Sequence, residues 1–537
     1  MMDKSKVDYS LYLVTDSTML PPGATLVSQV NSALENGVTL VQLREKETDT
    51  KTFIEEALKV QELCRQHNVP LIINDRVDVA LAIDADGVHV GQDDMPIAMV
   101  RKLLGPDKII GWSVGYEHEV QELAAMGPQY VDYVGLGMIF PTETKKNAKK
   151  SPMGPRGVSK LLDAMQASNA TWCRTVGIGG LHPNNISRVL YQVCSEDGKR
   201  SLDGIAVVSD IMASTEAGEA AKRLRSIIDA RSYYFVDGMD SEICLFSWWL
   251  QERIKSTKQN SPLIHHITNK VHQNFGANVA LALGCSPIMS EVEPEFTELS
   301  NMPHATLLLN TGSVAPLETL VSAVRAYNEA KRPIVFDPVG FSATSVRLQL
   351  NRHLLEEGQF ACIKGNAGEI LSLADMNVGK MRGVDSGHTG SDISILVAAT
   401  KIVAFRYRCV AVCTGQVDVV ANGLNFGQFN LSTGSDSNPS QLPARIVEAG
   451  NIPVMGKITA SGCSLGTTIA CLIGGITVEE DIFGGVLLAV LMYKSAGYTA
   501  SLKCKGSGSF QAHLIDALDN MLTENDPSTW FAKTSSI

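Results

Sequence analysis

The first 230 residues of the chain repeat one pattern, a short β-branched run followed by a stretch of helical period. After the run 11–14, for example, apolar residues recur at Leu26, Val30 and Leu34, the spacing of one helix face. Strands that alternate with helices pair in parallel, because each helix returns the chain to the same end of the sheet. Eight runs occur in this way, and they cover residues 11–14, 39–43, 71–73, 87–90, 109–112, 130–135, 175–178 and 204–208. Eight such units predict an α/β fold, a closed (β/α)8 or TIM barrel whose site lies at the C-terminal ends of the strands.

The length of the chain requires more than this barrel. At 537 residues the chain is too long for one ordinary core, and the repeated pattern stops after Ala230. We therefore predict two domains, residues 1–238 and residues 239–537, with the boundary near Gly238. A possible helix at 239–254 follows the boundary. Its Trp248 and Trp249 either dock the two domains together or pack on the second domain's own core.

Composition excludes several classes of partner. The formal charge is -11, which offers no general attraction to nucleic acid. The N-terminus has no apolar signal core, and the most apolar late stretch, 486–492, is short and followed by Lys494. The 11 cysteines form no C-x-x-C pair, which indicates buried thiols in a reducing compartment. We expect a cytoplasmic protein whose partners are small molecules, with no nucleic acid and no membrane.

The loop at 140–146 reads F-P-T-E-T-K-K and directly follows a predicted strand. Its two threonines and its lysines could offer hydroxyls, backbone N–H groups and a mobile cation to one anion. Seen alone, the segment also suits a solvated surface turn. Its position at a strand end favours a phosphate clamp.

Charged side chains follow several other predicted strands. Arg44, Lys46 and Lys145 would face Asp75 and Asp94 across the end of the barrel. This arrangement suits a diphosphate that is held by cations and by a divalent metal on the two carboxylates. A single carboxylate is more often a helix cap, and Asp93 or Asp94 could cap the helix that begins near Pro96. The pair on neighbouring strand ends favours metal binding.

Five ordered motifs in this half resemble those of thiamine phosphate synthase: V-Q-L-R-E-K, I-N-D-R, G-V-H-V-G-Q-D-D, P-T-E-T-K-K and V-G-I-G-G. The family joins hydroxymethylpyrimidine diphosphate to a thiazole phosphate. The resemblance implies that the pyrimidine diphosphate is bound by Gln42, Arg44, Lys46, Asn74, Ser113 and Lys145. It implies Mg²⁺ on Asp75 and Asp94, and the thiazole phosphate on Thr142, Thr144, Gly180, Val208 and Ser209. The loop at Gly115-Tyr116 departs from the family pattern.

The second half carries a different set of strand-end motifs. Small residues open a predicted helix at Ala460-Ser461-Gly462-Cys463, where free N–H groups would face an anion. An N-x-x-E segment, Asn366 to Glu369, follows another strand and could order Mg²⁺. Neither a P-loop nor the protein-kinase motifs are present. The combination predicts an ATP-dependent kinase of another class.

Three further motifs, H-H-I-T-N-K-V, A-L-G-C-S-P-I-M and D-P-V-G, resemble hydroxyethylthiazole kinase, a ribokinase-like α/β family, over about residues 260–500. The resemblance implies ATP as co-substrate and a homo-oligomer built on kinase-domain trimers. It places Met289 at the thiazole, Ala460 near the substrate alcohol and Cys463 at the catalytic base. It places Arg347, Thr414 and Asn366 at ATP, and Glu369 at the magnesium.

This half departs from the kinase family at two places. The glycine-rich loop usually reads G-T-G-C, whereas this chain has A-S-G-C. The Ser/Asn/Pro-rich stretch 428–457 is longer than the expected connection, and we predict a surface insertion there.

The role of Cys463 has two interpretations. Most kinases of this fold place an aspartate there to take the hydroxyl proton, and a thiol of pKa about 8.5 is a poorer base unless the helix N-terminus lowers its pKa. A role in packing and positioning is the alternative.

The two resemblances together imply a bifunctional enzyme of thiamine biosynthesis. The kinase would make the thiazole phosphate and the barrel would consume it. One active and one degenerate domain, or a sensor that binds thiamine precursors without turnover, are the alternatives. Both sets of charged groups are present, which favours two active sites.

Overall fold

The computed structural model describes residues 4–142, 151–230, 247–313, 315–376, 392–424, 439–476 and 482–537. The described chain forms two compact units, one up to Ala230 and one from Ser247 onward. The predicted boundary near Gly238 lies outside the described residues.

The first unit is a closed barrel of eight parallel strands, as predicted. Closure comes from β1, which pairs with both β2 and β8. The strands are β1 Leu11–Val14, β2 Leu40–Leu43, β3 Leu71–Asn74, β4 Gly87–Val90, β5 Ile109–Val114, β6 Tyr133–Gly137, β7 Arg174–Ile178 and β8 Gly204–Val207. Every predicted strand is therefore present, with bounds that differ by at most three residues.

Helices follow the strands and cover the barrel. They are α1 Leu26–Glu35, α2 Thr50–Gln66, α3 Val77–Ala82, α4 Ile97–Leu104, α5 Glu117–Met126, α6 Gly154–Ala167, α7 Ile186–Gln192, α8 Ser209–Met212 and α9 Ala217–Asp229. The first shows why these segments are helical: Thr25 and Ser28 form a reciprocal capping box, and Val30, Ala33 and Leu34 make a buried stripe.

The second unit is built on a nine-stranded mixed sheet in the order β10-β9-β11-β12-β13-β14-β15-β16-β17. Six strands are parallel, namely β9 Leu263–Ile267, β10 Ser286–Met289, β11 Thr306–Asn310, β12 Ile334–Asp337, β13 Cys362–Asn366 and β14 Val410–Thr414. Three antiparallel strands extend the sheet, namely β15 Asp418–Asn422, β16 Ala444–Glu448 and β17 Lys533–Ser536. The predicted α/β architecture is confirmed.

One expectation for this sheet is wrong in part. The stretch 428–457 was predicted to be a surface insertion, but β16 lies within it and pairs with strands on both sides. Ala444 and Val447 of β16 are buried, so their apolar side chains hold this segment in the sheet. Residues 428–438 of the stretch lie outside the described residues.

Ten helices of the described chain surround the sheet. They are α10 Ser247–Asn260, α11 Gln273–Ala282, α12 Phe296–Asn301, α13 Leu317–Glu329, α14 Ser345–Glu357, α15 Ala367–Leu373, α16 Ile393–Tyr407, α17 Ser461–Ile473, α18 Ile482–Lys503 and α19 Ser507–Glu524. Trp249 packs against this unit's own core, whereas Trp248 is exposed. Within the described chain only α18 is long and apolar enough to cross a membrane, and 89% of its most apolar window is buried in the protein.

Candidate active sites

The C-terminal ends of the barrel strands enclose a cavity of about 440 Å³. Every described residue that the sequence assigned to the barrel site lines it: Gln42, Arg44, Lys46, Asn74, Asp75, Asp94, Ser113, Thr142, Gly180, Val208 and Ser209. Thr144 and Lys145 were assigned to the same site but lie outside the described residues. The strand ends thus bring together side chains that are up to 167 residues apart in the chain, from Gln42 to Ser209.

Two carboxylates, Asp75 and Asp94, lie next to each other at the rim of this cavity. Burial and the neighbouring Asp94 raise the pKa of Asp75 to about 6, and Lys46 opposes the shift. Two carboxylates held this close repel each other, and a divalent cation would relieve the repulsion. Mg²⁺ commonly takes one or two protein carboxylates and completes its shell with substrate phosphates and water. The pair therefore suits Mg²⁺ beside a diphosphate.

The alternative that Asp93 or Asp94 caps the helix beginning near Pro96 is wrong. Helix α4 begins at Ile97 with Pro96 at its N-cap and has no side-chain capping bond. Asp94 instead accepts a hydrogen bond from the backbone N–H of Gly91 at 2.7 Å, which fixes its own loop.

Cations stand beside the carboxylates, and each has an acidic neighbour. Lys46 Nζ lies 3.7 Å from Asp75 Oδ2. Arg44 Nη1 donates to Asp16 Oδ2 at 3.2 Å. The sequence did not single out Asp16, which follows β1 and holds the guanidinium in place.

The floor of the cavity is a chain of neutral hydrogen bonds. Gln42 Nε2 donates to the Tyr12 hydroxyl at 2.9 Å, and Tyr12 and Tyr133 share a bond of 2.7 Å. The chain continues from Tyr133 to His89 Nδ1 at 3.0 Å and from His89 Nε2 to Ser113 Oγ at 2.9 Å. Burial raises the pKa of both tyrosines, so they stay protonated at neutral pH. The floor therefore orients the two predicted substrate contacts, Gln42 and Ser113.

Glycine makes room for this floor. A Cβ on Gly111 would lie 2.4 Å from the Tyr133 hydroxyl and 2.5 Å from His89 Nδ1. Sequence reasoning missed Tyr12, His89 and Tyr133, although a polar side chain inside an apolar core strand was an available signal.

The turn after β7 lines the cavity on the side of the Thr142 loop. Gly179 and Gly180 have positive φ, 100° and 62°, and a Cβ on Gly180 would lie 2.5 Å from the carbonyl oxygen of Pro141. This turn therefore packs against the start of the Thr142 loop. His182 follows the turn, lines the cavity and contacts Asp210 at 2.7 Å.

The second unit gathers its charges at the C-terminal ends of β12 and β13. Lys364 Nζ lies 3.0 Å from Asp337 Oδ1, and their side chains are only 4% and 1% exposed. Asn310 Nδ2 donates to the other oxygen of Asp337 at 2.7 Å. Burial raises the pKa of Asp337, and Lys364 opposes the shift. Sequence reasoning did not assign Asp337 or Lys364 to the site.

Cys463 lies against this pair in the first turn of α17. Its Sγ accepts hydrogen bonds from Asn269 at 3.4 Å and from Asn310 at 3.3 Å. Burial first, and then Asp337, raise the pKa of the Cys463 thiol to about 11. The thiol is therefore protonated at neutral pH.

The H-H-I-T-N-K-V motif and His272, which directly follows it, connect β9 to the helix that carries Cys463. His266 Nε2 and His272 Nε2 both contact the hydroxyl of Thr467 on α17, at 3.2 Å each. Burial lowers the pKa of His266 to about 4 and of His272 to about 3, so both rings are neutral. Neutral rings buried against a hydroxyl position the helix rather than exchange protons with substrate.

The N-x-x-E segment forms the N-terminal cap of α15. Asn366 Oδ1 accepts from the Glu369 N–H at 3.0 Å, and Glu369 Oε2 accepts from the Asn366 N–H at 2.7 Å. The second oxygen of Glu369 accepts from the Gly340 N–H at 2.7 Å. Burial and Asp337 raise the pKa of Glu369 to about 7.

The other predicted kinase residues lie on several different elements of this unit. Met289 ends β10, and Ala460 caps α17 in a left-handed conformation with φ 63°. Thr414 Oγ1 donates to the carbonyl of Gly365 at 3.3 Å. Arg347 donates to three backbone carbonyls, those of Thr311, Gly312 and Val339, at 2.7 to 3.1 Å. The guanidinium thus joins two loops, and its contact with ATP stays a prediction.

Comparison with known proteins follows the same division of the chain. The thiamine monophosphate synthase family model matches residues 11–211, and the hydroxyethylthiazole kinase family model matches residues 254–524. A thiamine biosynthetic bifunctional enzyme of Saccharomyces cerevisiae is 62% identical over 530 residues, which cover 98% of each chain. The chain belongs to the thiamine biosynthetic bifunctional enzymes. The probable enzyme of this name from Schizosaccharomyces pombe is 39% identical over 97% of this chain and 96% of its own.

A thiamine-phosphate synthase of Desulfitobacterium hafniense matches the barrel alone, with 46% identity over 41% of this chain and 96% of its own. In this bifunctional enzyme the barrel is the synthase domain and the unit on the nine-stranded sheet is the kinase domain. The expected pair of enzyme domains is confirmed. The kinase family uses ATP, and both families generally use Mg²⁺.

Proposed function

We propose that both domains are active and act in sequence. The kinase domain phosphorylates 4-methyl-5-(2-hydroxyethyl)thiazole with ATP. The synthase domain condenses the thiazole phosphate with 4-amino-2-methyl-5-hydroxymethylpyrimidine diphosphate, and it releases thiamine phosphate and diphosphate. The observation that carries this proposal is that each domain holds charge at its site at a cost to folding, the repelling Asp75–Asp94 pair in one and the enclosed Asp337–Lys364 pair in the other. A degenerate domain would have no reason to keep such groups.

In the synthase domain the residues serve the departure of diphosphate. Arg44 and Lys46 would contact the leaving group, and Asp16 keeps the Arg44 guanidinium aimed across the cavity. Mg²⁺ on Asp75 and Asp94 would neutralise the charge that develops on the diphosphate. The thiazole nitrogen then bonds to the methylene carbon of the pyrimidine, so the protein itself supplies no nucleophile.

The floor of the cavity orients the pyrimidine. Because Gln42 Nε2 donates to Tyr12, its Oε1 is the atom that can accept from the amino group of the pyrimidine. At the other end His89 Nε2 can donate to Ser113 Oγ, which turns the serine O–H toward the cavity. The floor thus presents an acceptor and a donor at fixed positions, which suits an aminopyrimidine.

In the kinase domain Cys463 and Asp337 share the work of a base. A thiol with a pKa of about 11 can accept a proton only if it passes its own proton on. Asp337 faces the thiol and can take that proton, while the substrate hydroxyl gives its proton to Sγ and its oxygen bonds to the γ-phosphorus. ADP then leaves with the former bridging oxygen.

Lys364 is placed to meet the transferring group. Its Nζ would lie 3.7 Å from a Cβ on Gly462, in the small-residue loop that opens α17. A cation and backbone N–H groups at one point stabilise a phosphoryl group in flight. Glu369, which can ionise near neutral pH, and Asn366 would order Mg²⁺ and its water molecules.

The test is a coupled assay of the whole chain with hydroxyethylthiazole, ATP, Mg²⁺ and the pyrimidine diphosphate. We expect thiamine phosphate, and we expect added thiazole phosphate to make ATP unnecessary. Failure with thiazole phosphate would refute the synthase activity, and failure only with the alcohol would refute the kinase activity. A cytoplasmic location and a homo-oligomer built on trimers of the kinase domain complete the proposal.

A further inference from the structure

Lys494 is the one charged residue among the buried residues of helix α18. The side chain of Lys494 is 9% exposed, and the carboxylate of Asp418 is 4% exposed. A lysine enclosed in this way needs a hydrogen-bond acceptor for each of its three protons. The acceptors of Lys494 therefore show which part of the chain it positions.

Lys494 has three oxygen partners, and all belong to one short segment. Its Nζ donates to the carbonyl of Gly415 at 2.8 Å and to the carbonyl of Gln416 at 2.8 Å. It also lies 3.2 Å from Asp418 Oδ1. The same carboxylate oxygen accepts from the Gly415 N–H at 2.8 Å, which closes the segment on itself.

This segment is the turn between β14 and β15. Gly415 and Gln416 are exposed to solvent. Their carbonyl groups nevertheless accept hydrogen bonds from the buried ammonium group of Lys494, which lies beneath the turn. The turn follows Thr414 directly, and Thr414 pairs in register with Asn366 of the neighbouring strand. Thr414 and Asn366 are the two residues on this edge that the sequence analysis assigns to ATP, and Asn366 also belongs to the proposed Mg²⁺ site.

We propose that Lys494 and Asp418 are positioning residues for the nucleotide, which set the shape of the turn 415–417 beside the ATP site. The inference rests on the proposed kinase function. Neither side chain touches ATP, because both lie beneath the turn. The pair acts through the backbone of Gly415 and Gln416, whose carbonyls it holds below the surface so that the exposed side of the turn keeps one conformation.

The structure favours this role over a purely stabilising one. A buried ion pair often contributes little net stability compared with apolar residues of similar volume. Two of the three acceptors of Lys494 are carbonyls of an exposed turn, where water could satisfy them. The enclosed lysine therefore replaces mobile water with a fixed donor at the edge of the site.

The test compares Lys494→Met with Lys503→Met, a matched control on the exposed end of the same helix. We expect Lys494→Met to raise the KM for ATP roughly tenfold or more, the effect of one charge-assisted hydrogen bond, and to change the KM for hydroxyethylthiazole less than twofold. Lys503→Met should leave both constants unchanged. A folded Lys494→Met variant with a normal KM for ATP would overturn the proposal, as would an equal rise in both KM values.

Lys494→Met could fail to fold because it leaves Asp418 unpaired in the core. The double variant Lys494→Met with Asp418→Asn removes both charges and keeps side chains of similar volume. It should fold, as judged by thermal unfolding, and it should still show the rise in the KM for ATP. A normal KM for ATP in the folded double variant would overturn the proposal. If the wild-type chain phosphorylated no alcohol with ATP, the proposed function would fail instead, and the synthase assay on the same samples shows that each preparation is intact.

Discussion

An Asp–Lys pair lies at the proposed site of each domain, and these two pairs, Asp75–Lys46 and Asp337–Lys364, differ in their access to water. In the synthase domain Lys46 and Asp75 are 3.7 Å apart, with side chains 55% and 27% exposed. In the kinase domain Lys364 and Asp337 are 3.0 Å apart, with side chains 4% and 1% exposed. The barrel keeps its charges at the rim and builds its floor from neutral groups, whereas the kinase encloses its charges.

The difference shows two ways to prepare a site for phosphate chemistry. Charges at a solvated rim contribute little to folding, and they can rearrange around an incoming diphosphate. Enclosed charges must be paired before the substrate arrives, so the site is organised in advance and depends strongly on each partner. Variants in the two pairs should therefore behave differently.

The largest effect is expected for Asp337→Ala. Removing this carboxylate leaves Lys364 as an unpaired charge in the core, which should destabilise the kinase domain by about 3 to 5 kcal/mol and abolish phosphorylation. Asp75→Asn, the matching change at the rim, should leave stability unchanged or raise it at neutral pH, because the raised pKa of Asp75 shows that its ionised form is unfavourable in the folded domain. Urea unfolding, followed by the residual activity of each domain, measures both. Equal stability losses in the two variants would contradict the comparison.

Cys463 tests whether the enclosed charges serve proton transfer. Cys463→Ser should lower kinase turnover on the order of a hundredfold, because a serine hydroxyl is a far weaker acid and cannot relay a proton readily. Cys463→Asp should retain or raise turnover, since a carboxylate with an ordinary pKa of about 4 is ready to accept the proton and Lys364 lies nearby to stabilise it.

A packing role for Cys463 predicts the opposite order, with serine nearly harmless and aspartate inactive. Thermal unfolding of both variants separates loss of fold from loss of chemistry. The relay would be refuted by a serine variant with wild-type turnover and a folded aspartate variant with none.

Much of the barrel could be predicted because its signals are local in the chain. A few neighbouring residues are enough to predict where each strand ends. Once the eight strands close into a barrel, their C-terminal ends lie together at one face. The capping box of Asn366 and Glu369 is local in the same way. The pairing of Tyr12 with Tyr133 is not, because the two hydroxyls meet across the barrel from positions 121 residues apart.

The kinase site was harder to predict for the same reason. Lys364 and Asp337 stand on separate strands, and only the sheet shows that their side chains meet. Arg347 has the charge expected of an ATP contact, yet its donors are used on backbone carbonyls. The raised pKa of Cys463 depends on burial, which the sequence of the loop does not reveal.

Substitutions in the neutral floor of the barrel should lower activity less than substitutions in the enclosed Asp337–Lys364 pair. Tyr133→Phe removes the hydroxyl between Tyr12 and His89 and frees Gln42 and Ser113 to reorient. We expect the KM for the pyrimidine diphosphate to rise roughly tenfold, with normal kinase activity. Tyr130→Phe makes the same chemical change three residues earlier and should be silent. An unchanged KM in Tyr133→Phe would show that the floor does not orient the substrate.

The smallest effect concerns pH. Mg²⁺ binds ionised carboxylates, so protonation competes with it and apparent affinity falls as pH falls through the pKa. The Mg²⁺ concentration for half-maximal rate should therefore rise below about pH 7 for the kinase, where Glu369 titrates, and below about pH 6 for the synthase, where Asp75 titrates. Magnesium titrations of each reaction at several pH values between about 6 and 7 measure the difference between the two pH profiles. Identical pH profiles would contradict it.

The central claim is that one chain carries two independent active sites, and Asp94→Ala tests it most directly when both reactions are measured on the same sample. Asp94 lies at the barrel rim, and Cys463, Asp337 and Lys364 belong to the other unit. We expect Asp94→Ala, like Asp75→Ala, to abolish thiamine phosphate formation and to leave thiazole phosphorylation within twofold of wild type. A folded Asp94→Ala chain that lost both activities equally would contradict the account.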